Sequence, residues 1–249
     1  MVYYISEIEH KNLINSLLPK AREVSVSSEL RGWSWHQEPL KPYYADVKLP
    51  MYMVSGTYCP TARDIYLRYV ENKEPELNHE VSLGIALHSA TGYLYTRLRQ
   101  NKEPIFEEWW AKKNFEATLK GNIAGIKACA TLLWEYVLAN AKAKKLSAQA
   151  EQPYASPEGI INAAIPFLIE HKISGELLGL SDILSVDCYD YLHGVIFDLK
   201  SSAVIEEANR LYPTGYALVF ESVYEVLIDV GCVTYVHFKL LMCTLKMSA

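Results

Sequence analysis

Apolar residues recur at helical spacing through the first 150 residues of the chain. Residues 5–23 carry them three to five positions apart, which predicts an opening amphipathic helix that breaks near Pro19. Residues 27–50 combine aromatic residues with prolines and predict connecting structure. The helical spacing predicts further helices over residues 53–70, 80–100, 105–112 and 115–150. The first part of the chain is therefore predicted to be mainly helical.

The pattern changes near residue 152 to short β-favouring runs. Two prolines end the helical part there, and residues 163–173 predict a first strand. Two apolar runs that end in acids follow, joined by a turn at residues 190–194, and they predict a β-hairpin. A helix and a strand are then predicted over residues 204–225 and 226–240. Helices followed by strands, a helix and a strand predict an α/β fold.

The predicted hairpin collects two acids and a lysine on one face. Alternation along its second strand places Asp198 and Lys200 on one face and Leu199 on the other. Because the turn is centred near residue 192, a regular antiparallel hairpin sets Asp198 opposite Asp187. Two acids so close are costly unless a proton or cation separates them, and hard cations such as Mg²⁺ or Mn²⁺ take oxygen ligands. The hairpin therefore predicts a metal site suited to phosphodiester hydrolysis, in which Lys200 assists a water or a phosphoryl oxygen. A solvated surface pair is the alternative for Asp198 and Lys200 taken alone.

Three further residues are candidates for this chemistry. His88 lies one helical turn after Gly84, whose missing side chain would let another backbone or a nucleic-acid strand approach the imidazole. A hydrogen-bonded core histidine is the alternative.

Cys59 precedes a helix with Pro60 predicted in its first turn, so the helix dipole would favour a reactive or metal-bound thiolate, with a small buried thiol as the alternative. Glu170, on the strand before the hairpin, is a further acid for the same site.

Composition indicates a globular protein and gives no direct sign of a binding partner. A chain of 249 residues, half of them hydrophobic, can bury a sizeable core as one large domain or one domain with a helical insertion. The net charge of −5 means that a nucleic-acid surface would have to be local, although 18 tyrosines and five tryptophans permit stacking on unpaired bases. Five widely spread cysteines without a Cys-x-x-Cys pair argue against a secreted disulfide framework. With neither a signal peptide nor a membrane-spanning run evident, we expect a cytoplasmic protein that does not enter a membrane.

Four motifs, in order, give the chain a resemblance to a known family. They are Cys-x3-Arg-Asp-x-Tyr-Leu from Cys59, Gly-x3-His ending at His88, an acidic strand, and Asp-Leu-Lys ending at Lys200. With these positions the chain resembles the CRISPR-associated RecB-like exonucleases, the fourth Cas family, in particular its archaeal type I-A branch. The resemblance covers nearly everything up to about Phe238. Each motif alone is weak, and their order carries the resemblance.

The resemblance implies a restriction-endonuclease-like, RecB-like nuclease core with a helical N-terminal half and a mixed β-sheet. Residues 1–150, which carry Cys59 and His88, and residues 151–249, which carry the nuclease sheet, are expected to form one folding unit. The implied ligands of Mg²⁺ or Mn²⁺ are His88, Asp187 or Asp182, Asp198 and the Leu199 carbonyl, beside the catalytic Lys200.

Two acids compete for one ligand position in the implied metal site. Asp182 follows Gly179 in the Gly-x-x-Asp spacing that is common in the wider family, whereas Asp187 faces Asp198 in a regular hairpin. We favour Asp187, and a bulge in this strand would reverse the choice.

The resemblance also bears on substrate and cluster binding. The family often carries Gln-x-x-x-Tyr on the helix after the lysine strand, where this chain has Tyr212 and Tyr216, so Tyr216 is implied to guide single-stranded DNA. An iron–sulfur cluster is typical of the family, and Cys59 matches the first of its four thiolate ligands. The other three are expected to be missing with a C-terminal cysteine region, because Cys243 stands alone and Cys232 lies in a predicted strand.

The activity implied by the resemblance is metal-dependent exonuclease action, with single-stranded DNA preferred. It would process DNA fragments before their integration during CRISPR spacer acquisition. The implied partners are DNA, the CRISPR integrase and its adaptation partner subunit, with a homo-oligomer as a further option. Two alternatives remain: a non-catalytic subunit that binds DNA ends, and an unrelated α/β protein whose acids face solvent.

Overall fold

The computed structural model describes residues 3–44, 46–56, 59–74, 76–202 and 204–238, and the backbone of residues 246–248. The helices are α1 (Glu7–Asn12), α2 (Leu18–Val24), α3 (Met51–Ser55), α4 (Arg63–Tyr69), α5 (His79–Arg99), α6 (Phe106–Lys113), α7 (Phe115–Thr118), α8 (Ile123–Glu151), α9 (Pro157–Ala164) and α10 (Leu211–Tyr224). The strands are β1 (Leu168–Ile173), β2 (Leu184–Asp190), β3 (Val195–Lys200), β4 (Val230–His237) and β5 (Lys246–Ser248).

The described strands form one mixed sheet in the order β1-β2-β3-β4-β5. Neighbours pair antiparallel from β1 to β3 and again between β4 and β5, whereas β3 and β4 run parallel. A parallel pair needs a long crossover, and α10 lies in the segment that connects these two strands. The predicted α/β class and mixed sheet are therefore confirmed.

The hairpin predicted from the sequence is formed by β2 and β3. Cys188 lies opposite Phe197 and Tyr189 opposite Ile196, so the same register sets Asp187 beside Asp198. Alternation sends Cys188 and Phe197 to one face of the sheet and Tyr189 and Ile196 to the other. The hairpin register is thus the one that the turn position predicts.

The sheet separates two hydrophobic clusters. The larger one packs the face that carries Cys188 and Phe197 against Leu87 of α5, Trp109 of α6 and Leu133 of α8. The smaller one fills the other face with side chains of α10, including Val219 and Phe220. Complete burial of such side chains stabilises a fold by roughly 1.5–3 kcal/mol each. Residues from the helical half and from the sheet therefore share one core.

Several predicted boundaries in the first half are wrong. The helix predicted over residues 53–70 is divided, and α4 begins only at Arg63, because Ala62 adopts a left-handed conformation with φ of 52°. Pro60 consequently lies in the turn ahead of α4 and not in its first turn. Pro19 does not end the opening helix either, since residues 7–24 are helical throughout and a π-helical turn at Leu13–Leu17 joins α1 to α2 just ahead of Pro19.

Two more boundaries differ from prediction near the centre of the chain. The helix predicted over residues 115–150 is interrupted between α7 and α8, where Gly121 has φ of +90° and a Cβ would lie 2.8 Å from His79 Cβ. The strand predicted from residue 163 begins at Leu168, after α9. Among the described residues, no helix is long and apolar enough to cross a membrane.

Candidate active site

Helix α5 brings His88 to the acids of the sheet. His88 Nδ1 lies 3.4 Å from Asp187 Oδ1 and 3.5 Å from Glu170 Oε1. Glycines occupy α5 one turn before and one turn after this histidine. A Cβ on Gly92 would lie only 3.0 Å from Glu170 Cγ, whereas a Cβ on Gly84 would make an ordinary contact of 3.6 Å. The bare helix surface at Gly92 therefore gives the Glu170 side chain room beside the imidazole.

Asp187 and Asp198 supply two buried carboxylates from neighbouring strands. Asp187 is only 7% exposed and Asp198 only 2% exposed. Asp187 Oδ2 accepts the backbone N–H of Leu199 at 2.7 Å, which leaves Oδ1 toward His88. Asp198 Oδ2 lies 2.9 Å from Lys200 Nζ as an ion pair but accepts no hydrogen bond of normal geometry within the described part of the chain. Burial of a carboxylate is costly unless a charged or hydrogen-bonding group compensates it, and Lys200 is the cation beside Oδ2 here.

Glu170 completes the acidic cluster from β1. Ser185 Oγ donates a hydrogen bond to Glu170 Oε2 at 2.7 Å, so the other carboxylate oxygen faces His88. The backbone of Glu170 has φ of 50°, a left-handed conformation that costs a non-glycine residue about 1–3 kcal/mol. Such strain is typical of positions where the surrounding structure fixes a functional side chain. The sequence indicated Glu170 as a further acid but gave no sign of Ser185 or Gly92.

The electrostatics of the cluster favour a bound cation. Burial and, next to it, the charge of the adjacent Asp187 carboxylate raise the pKa of Asp198 to about 7, although Lys200 acts in the opposite direction. Burial likewise raises the pKa of Asp187. Burial opposes charge on His88, but Asp187 and Glu170 outweigh it and raise the pKa of this imidazole to about 9. Near neutral pH the cluster thus retains protons whose place a divalent ion can take.

Lys200 and two tyrosines close the site on the side of α10. Lys200 Nζ lies 3.5 Å from the ring centroid of Tyr212, a cation–π contact that fixes the ammonium beside Asp198. Tyr216 follows one helical turn later and is only 8% exposed. Burial, and next to it the charge of Asp187, raise the pKa of Tyr216 well above its usual range. Tyr216 is therefore a neutral wall of the site.

Asp182, the other candidate ligand on this part of the chain, lies apart from the cluster. Its side chain is 61% exposed and pairs with Lys48, at 2.5 Å between Oδ1 and Nζ. The β1–β2 pairs on either side of Asp187, Ile169 with Cys188 and His171 with Val186, keep one register, so no residue is inserted here as a bulge that would reverse the choice. Of the two acids left open by the sequence, the structure brings Asp187 to His88.

Cys59 is a thiol with a lowered pKa that belongs to none of the described groups of metal ligands. The Thr61 hydroxyl, 3.3 Å from the sulfur, and next to it the backbone N–H groups at the start of α4 lower the pKa of Cys59 to about 7. Among the described residues, the groups of three side chains able to hold a metal include no cysteine. Cys188 and Cys232 lie in strands β2 and β4, and Cys243 lies outside the described residues. The described cysteines therefore do not fit an iron–sulfur cluster.

Comparison with known proteins identifies related sequences. The chain matches the family model of the CRISPR-associated exonuclease Csa1 over residues 1–247. It is similar to the CRISPR-associated exonuclease Csa1 of Saccharolobus solfataricus, with 26% identity over 227 residues, which cover 88% of this chain and 74% of the relative. It is also similar to the protein of the same name from Thermoproteus tenax, with 27% identity over 206 residues, which cover 83% and 69%. No solved structure gives a significant match. The family match spans the helical half and the sheet alike.

Proposed function

Because the chain belongs to the family of the CRISPR-associated exonuclease Csa1, we propose that it is a metal-dependent deoxyribonuclease that prefers single-stranded DNA. One observation carries the metal dependence: His88 meets the carboxylates of Glu170 and Asp187, and Asp198 and Lys200 lie beside them. This combination of hard ligands and an ammonium group is suited to phosphodiester hydrolysis.

The donor set fits Mg²⁺ or Mn²⁺. Burial raises the pKa of Asp187, and burial together with the charge of Asp187 raises the pKa of Asp198, even though Lys200 lies 2.9 Å from Asp198 Oδ2. A divalent ion bound between the two carboxylates would stabilise their charged forms. We assign His88, Asp187, Asp198 and the Leu199 carbonyl as ligands, with Glu170 as a further oxygen donor. When bound, such an ion would polarise a phosphoryl oxygen and lower the pKa of a water.

The side chains around the metal ligands have separate tasks in this proposal. The ion pair with Asp198 and the ring of Tyr212 hold the Lys200 ammonium, which donates hydrogen bonds to the attacking water or to a phosphoryl oxygen. The Leu199 N–H orients the Asp187 carboxylate. Tyr216 borders the path of single-stranded DNA in this proposal, as a wall more than as a stacking platform, because it is 8% exposed and belongs to the smaller hydrophobic cluster.

Family membership supports a wider proposal about architecture and pathway. We propose that the mixed sheet and its helices form a restriction-endonuclease-like, RecB-like core, with residues 1–150 and 151–249 in one folding unit. The shared larger hydrophobic cluster supports this unit, since it contains residues from both parts. The enzyme would trim DNA fragments before their insertion during spacer acquisition, with the CRISPR integrase and its adaptation partner subunit as partners.

Cleavage assays with labelled single-stranded DNA test the proposed function. Wild-type protein should degrade the DNA in Mn²⁺ and not in EDTA, whereas Asp198→Asn and Lys200→Met should be inactive. Lys142→Met is the matched control, because Lys142 lies on the exposed side of α8 and pairs only with Glu103 among the described residues. Unchanged cleavage by both site variants would remove these residues from the chemistry. DNA retention without any cleavage by the wild type would indicate the non-catalytic DNA-end-binding subunit instead.

A further inference from the structure

A second cluster of metal-ligating side chains lies at the turn of the β2–β3 hairpin. His10 of α1 approaches the end of β2, with its Nε2 atom 3.1 Å from Asp190 Oδ2. His193, in the turn itself, places Nδ1 2.8 Å from the same oxygen. The three ligand atoms lie within 4.8 Å of one another. Two imidazoles and a carboxylate thus converge on one point, away from the acids of the active site.

The chain holds the ligands of this cluster in place. Asp190 is 1% exposed, and its Oδ1 accepts the backbone N–H of Leu192 at 3.1 Å, so that Oδ2 is directed at both imidazoles. Helix α1 is fixed by a capping box between Ser6 and Glu9. The imidazole side chains of His10 and His193 remain 16% and 33% exposed, which leaves an approach for an ion from solvent.

We propose that His10, Asp190 and His193 form a binding site for a transition-metal ion, with Zn²⁺ as the principal candidate. Zn²⁺ favours imidazole nitrogen together with a carboxylate oxygen, and three protein ligands leave a fourth position for water. This donor set differs from the carboxylate-rich active site, which suits Mg²⁺ or Mn²⁺. Binding requires each histidine to present a nitrogen lone pair to the ion, so His10 Nε2 and His193 Nδ1, which face Asp190 Oδ2, would bind in the tautomer that leaves these nitrogens unprotonated.

The position of this site indicates a structural task. The ion would fasten α1, near the start of the chain, to the hairpin whose strands carry Asp187 and Asp198. The segment just before α1 is anchored on its other side, because the Tyr4 hydroxyl hydrogen-bonds to Thr91 of α5, within one turn of His88. A filled site would therefore brace both elements that meet in the active site. This inference does not depend on the proposed nuclease function.

Zinc binding by the purified full chain tests the proposal. In excess Mg²⁺, wild-type protein should bind one equivalent of Zn²⁺, and its melting temperature should rise by roughly 5–10 °C at a free Zn²⁺ concentration of 100 times Kd. His88→Ala, which disrupts the active-site ligands, should retain both effects. His36→Gln, a control at an exposed histidine, should do so too.

Two substitutions in the cluster decide the outcome. His10→Gln and His193→Gln should each lose the bound equivalent and the thermal shift, with far-UV circular dichroism confirming that the proteins are folded. Co²⁺ should give the visible absorption of a low-coordinate site in the wild type and not in these variants. Zinc binding that survives both substitutions, that disappears in His88→Ala alone, or that is absent from the wild type would overturn the proposal. Because the readouts are zinc content and unfolding, a failed nuclease assay leaves this test intact.

Discussion

At the scale of single residues, the site depends on which of several acids lies beside the imidazole of His88. Asp187 is buried, bonded to the Leu199 N–H and 3.4 Å from His88 Nδ1, whereas Asp182 is largely exposed and paired with Lys48. Both acids lie close together in the sequence, where the Gly-x-x-Asp spacing favours Asp182 and the hairpin register favours Asp187. Burial and contact partners distinguish the two acids, and substitutions of Asp187 and Asp182 can be compared directly.

Substituting each of these acids tests that assignment. Asp187→Asn should lower the rate of DNA cleavage by about 100-fold or more, because it removes a charged ligand and disturbs its neighbours. Asp182→Asn should retain wild-type cleavage to within about twofold, since only an exposed ion pair is lost. Rates measured in Mn²⁺ under single-turnover conditions give the comparison. The reverse ranking of the two variants would transfer the ligand role to Asp182.

The raised pKa of Asp198 predicts how the stability of metal-free protein depends on pH. Its pKa is about 7 in the folded chain, chiefly because of burial, against an ordinary value near 3.8, so the folded state holds this proton more tightly. The contribution is therefore fully present below about pH 4 and is lost as the pH rises through 7. Urea unfolding in EDTA should show a smaller loss of stability between pH 4 and 7 in Asp198→Asn than in the wild type. Identical pH profiles would contradict this origin.

At the scale of elements, helix α5 and the β2–β3 hairpin do most to build the site. The hairpin sets Asp187 beside Asp198 by register, and α5 supplies His88 together with space for Glu170. The two glycines that flank the histidine differ in this respect. Gly92 leaves space for Glu170 at close range, whereas a Cβ on Gly84 would make only an ordinary contact with Ser201 Oγ.

Alanine at each glycine tests the role of the α5 surface. Alanine stabilises a helix interior by about 1 kcal/mol relative to glycine, and Gly84→Ala should gain most of this in its free energy of unfolding. Gly92→Ala should gain less or lose stability, because its Cβ would force Glu170 to shift. It should also weaken Mn²⁺ binding, measured by titration calorimetry. Equal stability and equal Mn²⁺ affinity in the two variants would show that Glu170 does not need this space.

At the scale of the whole molecule, a buried ion network joins the N-terminal segment to the sheet half. Arg31 Nη1 donates to Glu221 Oε1 of α10 at 2.7 Å, and Nη2 donates to Asp229 Oδ1, just before β4, at 2.6 Å. Glu221 is 1% exposed. Breaking such a pair from one side leaves an uncompensated buried charge, which is more costly than loss of an exposed pair.

Removing this arginine should therefore destabilise the whole fold. Arg31→Met should lower the free energy of unfolding by about 3–5 kcal/mol, because Glu221 and Asp229 lose their shared partner. Arg210→Met, which breaks an exposed pair with Glu207, should stay within about 0.5 kcal/mol of the wild type. Denaturant unfolding of both variants measures the difference. A small loss in Arg31→Met would mean that water reaches the two acids.

Local sequence predicts the parts of this protein that depend on neighbouring residues. Alternating apolar residues and a short turn suffice for the β2–β3 hairpin and the pairing of Asp187 with Asp198, because strand period and turn length fix the register. Helical spacing locates α5, and the helix predicted over residues 204–225 contains α10, which begins only at Leu211. Helical spacing misplaces the start of α4 and the break before α8, where left-handed conformations at Ala62 and Gly121 override it.

Packing over long sequence separations decides the rest. The contacts of His88 with Asp187 and Glu170, and of His10 with Asp190, join residues that no local pattern connects. Helical spacing indicates which face of a helix is buried but not which strand that face packs against, since the packing of helices on the sheet depends on apolar burial over the whole molecule. The sequence by itself therefore determines which residue types are available for the chemistry. Only the packing of the core decides which of these residues come together in one site.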